Sequence, residues 1–213
     1  MSTHRSIRLL VAGFLVSGIA GGVLLAEGAR VQTAEEAIAA DARWYAQSQG
    51  VSHAEAVRRL RIQSEMGGLI GQLRRTHRAR LAGIVIEHQP VYRVRVRLTG
   101  TVPVAPQEHK LGGSRLPVVF ETGAKATLAE LTTAMSVHMD ALRRIYPTLA
   151  GMGTDERTGE IVLDVYAPTA SEADAARAKF AEAQALLGVP ARLEIASAYP
   201  TTLVGTVAGS GRQ

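Results

Sequence analysis

Cysteine is absent from the 213 residues. That excludes disulfides, thiolate zinc sites and cysteine nucleophiles. A chain of this size can bury an adequate core without disulfides, so the absence is compatible with export. Aromatic residues make up only 4%, and the core must be built from Val, Leu, Ile, Ala and Met. Lysine is scarce too. The bases are nearly all arginine, which with the abundant alanine points to a GC-rich bacterial genome more than to a function. Catalytic signatures are also missing. The chain has no Gly-x-Ser-x-Gly elbow, no Gly-Asp-Ser-Gly-Gly and no Gly-x-x-x-x-Gly-Lys-Ser phosphate loop. Gly67, Gly68 and Gly71 follow a helical pattern rather than a strand, a poor context for a dinucleotide site.

The composition that is present, 46% hydrophobic and 20% charged, is that of a globular chain. The length suits one medium domain or two small ones. The net charge of +5 is unevenly spread. From Arg58 to Arg97 there are ten arginines against Glu65 and Glu87, whereas from Glu121 onward acids outnumber bases. Either the first half faces an acidic partner, or the two halves pair internally; the second reading is the simpler.

Met1 to Arg8 carries Arg5 and Arg8, and Leu9 to Ala26 is an uncharged apolar run ended by Glu27-Gly28-Ala29-Arg30. This is the pattern of a secretory signal peptide. The run is also just long enough for a membrane span, although Gly13, Gly18, Gly21 and Gly22 weaken it as one. Residues 1–30 are therefore expected to be a signal peptide or an anchor, with membrane contact through residues 9–26. In both cases the body lies outside the cytoplasm, periplasmic or extracellular if cleaved and held at the inner membrane if not.

The body reads as α+β. Thr33 caps a helix that Gly50 ends, and Ser52 caps a second, with Glu55 placed for a capping box. Gly67-Gly68 is expected to break or kink that second helix. Gly83 to His88 and then Tyr92 to Leu98, where Arg93, Arg95 and Arg97 alternate with apolar residues, form a β-hairpin. Thr101 to Arg115, with Pro103, Pro106, Gly112 and Gly113, reads as a loop between two lobes, residues 31–112 and 113–200.

The second lobe has the order β-α-β-β-α-β, the split pattern of ferredoxin-like folds. Its strands are Leu116–Thr122, Leu149–Asp155, Ile161–Val165 and Ala191–Ala198. Thr127 and Ser171 cap its helices. Its first strand could instead belong to the first lobe. Thr201 to Gln213 is expected to be a mobile tail.

The candidate chemistry is thin. The six histidines are not grouped at ligand spacing, and His138 and Asp140 fall on different faces of one helix. Asp155-Glu156 flanks a turn rather than a site that would push two carboxyl pKa values apart. Arg93, Arg95 and Arg97 could meet phosphates, but only Tyr92 is near and it faces the other way, so nucleic acid is not expected. No cofactor or metal is expected, nor any catalytic residue.

Five segments in order carry a resemblance: "YAQSQGVSHAEAVRRLRIQSEMGGLIGQL", "LAGIVIEHQPVYRVRVRLTG", "LPVVFETGAKATLAEL", "GTDERTGEIVLDVYAP" and "LLGVPARLEI". Through them the stretch from Asp41 to Tyr199 resembles the propeptide region of bacterial secreted serine peptidases of the chymotrypsin fold, the group around alpha-lytic protease. The resemblance implies a non-catalytic protein that assists the folding of such a peptidase or inhibits it. It also implies that the last strand adds to a peptidase hairpin, with the tail entering the active-site cleft. The residues so marked are Arg192, Leu193, Glu194 and Ile195 on the strand, and Tyr199, Thr201, Thr202 and Leu203 in the tail. Proline at Arg192 is expected to spoil the pairing if that amide faces the partner. The 213 residues include no peptidase domain, so no catalytic triad is implied. A factor acting in trans, a module with another partner and a truncated precursor all remain open.

Overall fold

The computed structural model describes residues 33–198. The apolar run 9–26 and the tail 201–213 lie outside them. Among the described residues no helix is long and apolar enough to cross a membrane.

The fold is α+β, with two sheets. Helix α1 (Ala34–Gln49) begins at a full capping box between Thr33 and Glu36 and ends at Gly50, whose φ of 63° is the left-handed turn that glycine tolerates. Helix α2 (His53–Thr76) starts at Ser52, which accepts the Glu55 amide. The expected box is only half made there. The Glu55 carboxylate turns instead to Arg58 and Arg59, at 2.6 and 2.7 Å.

Helix α2 also runs unbroken through Gly67-Gly68. Both glycines are on its exposed side, while Ile62, Met66, Leu69 and Leu73 bury one stripe across them. Each glycine costs a helix about 1 kcal/mol relative to alanine. Burying four large apolar side chains outweighs that.

The stripe packs on a four-stranded sheet in the order β1-β2-β4-β3, made of β1 (Leu81–Glu87), β2 (Arg93–Thr99), β3 (Gln107–Leu111) and β4 (Ser114–Ala124). The β1–β2 pair is the expected antiparallel hairpin, and Val94, Val96 and Leu98 are fully buried against α2. Strand β4 pairs parallel with β2 and antiparallel with β3.

The expected loop from Thr101 to Arg115 thus contains a strand. Its polar residues Gln107, Glu108 and Lys110 hid it from a hydrophobic reading, because an edge strand needs little apolar surface. The boundary expected at 112/113 falls on the turn of the β3–β4 hairpin. Gly112 lies so close to α2 there that a Cβ would be 2.6 Å from the Arg61 carbonyl carbon.

The expected element order of the second lobe is present, but its first strand, β4, belongs to the first sheet, the alternative that the sequence left open. The remainder is α3 (Leu128–Ile145), β5 (Leu149–Asp155), β6 (Glu160–Tyr166), α4 (Ala170–Ala178), α5 (Phe180–Leu187) and β7 (Ala191–Ala196). Strand β6 is central, antiparallel to β5 and parallel to β7. Thr127 and Glu130 form the expected box on α3. The α4 cap is Thr169 with Glu172, two residues before the expected Ser171, and the helical run is divided at Lys179. Leu131, Leu142, Ile161 and Leu163 form the fully buried centre of this lobe.

Candidate partner-binding edge

A β-strand offers a second polypeptide its unpaired amides and carbonyls, so the free margins of both sheets decide what this protein can do by strand pairing. Three of the four margins carry a device against pairing. On β1, the Ile84 amide donates to Glu156 Oε2 at 2.7 Å. Strand β3 is lined by exposed Gln107, Glu108 and Lys110. Strand β5 is interrupted by an irregularity between Leu149 and Gly151.

Strand β7 is different. Among the described residues it pairs on one side only, with β6. The Ile161 amide donates to the Pro190 carbonyl and the Ala167 amide to the Ala196 carbonyl, both at 2.9 Å. With Leu163 opposite Leu193, these two bonds fix the alternation along the strand. The backbone of Arg192, Glu194 and Ala196 turns inward to β6. The N–H and C=O groups of Leu193 and Ile195 turn outward. At Ala191 the outward amide is already bound by Gln184 Oε1 at 3.2 Å, and Gln184 Nε2 donates to the Val189 carbonyl at 2.6 Å. The open stretch therefore begins after Ala191 and is centred on Leu193 and Ile195.

Beside this margin runs a groove of about 410 Å³ lined by Arg177, Phe180, Ala191, Arg192, Leu193 and Ile195. The half-buried side chains of Leu193 and Ile195 face it from the strand, and Phe180 faces it from the start of α5. The opposite face of the sheet is polar. There Arg192 reaches Asp155 at 2.9 Å, Glu194 at 3.2 Å and Glu160 at 3.3 Å. Burial opposes the charge of Asp155, but the Arg157 amide and the Arg192 guanidinium outweigh it and hold this carboxyl below its usual range. Arg192 is thus committed within the molecule through both its backbone and its side chain.

Of the sequence-marked residues, the structure puts Leu193 and Ile195 on the open margin, Glu194 exposed on the polar face and Arg192 inside an ion network. Tyr199, Thr201, Thr202 and Leu203 lie outside the described residues. The sequence reading missed Gln184 as the stop at one end. Phe180, which opens α5, is half-buried and borders the groove.

The other candidates are internal. Arg93 and Arg95 pair with Glu87 at 2.6 and 2.7 Å, and Arg95 also meets Glu121. The arginine row is thus largely neutralised, by Glu87 within the same half and by Glu121 of the second. Tyr45 Oη and His88 Nδ1 lie 2.8 Å apart where α1, α2 and the β1–β2 loop meet. Burial, with Arg59 and Arg157 nearby, lowers the His88 pKa. Arg59 donates to the His88 carbonyl and sits 4.9 Å over the Tyr92 ring. This cluster ties α1 to the body. Among the described residues no three His, Asp or Glu side chains stand together as metal ligands.

No protein-family model matches the chain, and no curated protein matches it.

Proposed function

We propose that this chain is an exported, non-catalytic binding protein of propeptide-like architecture, which assists the folding of an exported serine peptidase or inhibits it by adding a strand to it. One observation carries the reading: the outward N–H and C=O groups of Leu193 and Ile195 lie on the one sheet margin that, among the described residues, carries no blocking device. Strand addition draws affinity from main-chain hydrogen bonds and selectivity from adjoining pockets, and β7 has both beside it. The charged start and apolar run of the N-terminal sequence support export.

The test is refolding of a chymotrypsin-fold secreted peptidase from the same genome, with and without this protein, together with inhibition of the mature enzyme. The expected result is a higher refolding yield or slow, tight inhibition, lost in Leu193→Pro. Full activity of that variant, with an unchanged circular dichroism spectrum, would refute strand addition. Retention of the full-length protein in washed membranes would show that residues 9–26 stay attached, and the same edge would then act from the inner membrane.

A further inference from the structure

If β7 pairs with a partner strand, as proposed, the two faces beside β7 determine what that strand must carry. Side chains on an added strand alternate between the faces of the sheet. Residues opposite Leu193 and Ile195 point into the groove beside Phe180. The residue between them, opposite Glu194, points to the polar face.

That polar face is acidic. Asp155 on β5, Glu160 on β6 and Glu194 on β7 project there around Arg192. Arg192 is shared among Asp155, Glu160 and Glu194. The Glu194 carboxylate is the outermost of these groups, on the strand next to the incoming chain, and its side chain is 45% exposed. A carboxylate directly opposite it on a neighbouring strand is repelled, and a cation is attracted.

We infer that the partner segment is an extended apolar–basic–apolar triplet, whose two apolar side chains enter the groove and whose Lys or Arg lies opposite Glu194. The alternation of faces holds whether the strand adds parallel or antiparallel, so the triplet does not depend on direction. Gln184 bars its extension past Ala191, which limits the segment to a short one.

The experiment uses the full chain and two fluorescein-labelled peptides, Thr-Thr-Val-Lys-Val-Thr-Thr and Thr-Thr-Val-Glu-Val-Thr-Thr, titrated by fluorescence anisotropy. The lysine peptide is expected to bind about fivefold tighter, since an opposite charge pair and a like pair differ by up to about 1 kcal/mol. The preference should shrink as salt is raised. Glu194→Lys should reverse it and Glu194→Gln should abolish it, with far-ultraviolet circular dichroism confirming the fold of both. Equal binding of the two peptides, sensitive to Leu193→Pro, would overturn the charge rule while leaving strand addition standing. Binding of neither peptide would overturn this inference, and if Leu193→Pro also left peptidase refolding and inhibition intact, strand addition would fall with it. Self-association in sedimentation, removed by Leu193→Pro, would assign the edge to a second copy and overturn the triplet.

Discussion

Glu156 Oε2 accepts the backbone amide of Ile84 at 2.7 Å, so an acid from the β5–β6 turn of one lobe closes the strand margin of the other. The same carboxylate meets Arg74 of α2 at 3.4 Å, and the Glu156 carbonyl accepts from Arg97 Nη1 at 3.5 Å. Glu156→Ala leaves the Ile84 amide without its acceptor. An unsatisfied buried donor costs about 1–3 kcal/mol, so the urea midpoint should fall accordingly. Glu156→Gln keeps an acceptor oxygen and should lose clearly less. Equal losses in the two variants would assign the effect to charge rather than to the amide.

Gly83 is next to that junction for a steric reason. A Cβ there would sit 2.5 Å from the Glu156 carbonyl oxygen and 2.9 Å from the Glu156 Cβ. Gly83→Ala must therefore push β1 from the turn, with a loss of about 1–3 kcal/mol typical of overpacking. Gly153→Ala, where a Cβ meets nothing within 4 Å, is the control and should stay close to the parent. Thermal melting of the two variants checks the contrast.

These junctions explain what could be read from the sequence. Helix starts were legible where a hydroxyl precedes an acid by three residues, as at Thr33 and Thr127, because a cap is a local device. Thr169 failed only because Ser171-Asp174 offers the same spacing two residues on. Strand β2 was legible from its period, since one face is buried and the other carries arginines. The membership of β4 was not, because pairing partners are a long-range property that alternation does not encode. The site was half legible. Leu193 and Ile195 were marked correctly as strand residues, but which amides turn outward depends on the register with β6, and no residue type reports that.

Acid should loosen α1 and α2 from the hairpin. The Arg58 guanidinium, hydrogen-bonded to Glu55, and Arg59 beside it hold the Glu55 carboxyl at about 2, against an ordinary 4.5. A carboxyl whose pKa is depressed on folding stabilises fully above its unfolded value and loses that contribution as pH falls through its folded value. Melting temperature should therefore drop between about pH 4.5 and about pH 2. Arg59, only 6% exposed, would then lose the charge beside it. Glu55→Gln should be less stable than the parent at neutral pH, and the gap should close across that acid window. A gap that stays constant with pH would exclude Glu55 as the titrating group.

Two proline substitutions one residue apart separate folding from binding. The Arg192 amide turns toward β6, so Arg192→Pro removes a hydrogen bond within the sheet and also strips Asp155, Glu160 and Glu194 of their shared cation. It should destabilise by about 3 kcal/mol or more, and any loss of partner binding would follow from the fold. The Leu193 amide turns outward, a place that edge strands tolerate for proline. Leu193→Pro should keep most of the stability and lose the partner. Denaturant midpoints and peptidase binding measured on both variants give a crossed pattern if β7 works through its outer margin. Parallel losses of stability and binding in both would mean that the outward backbone of β7 has no role apart from folding.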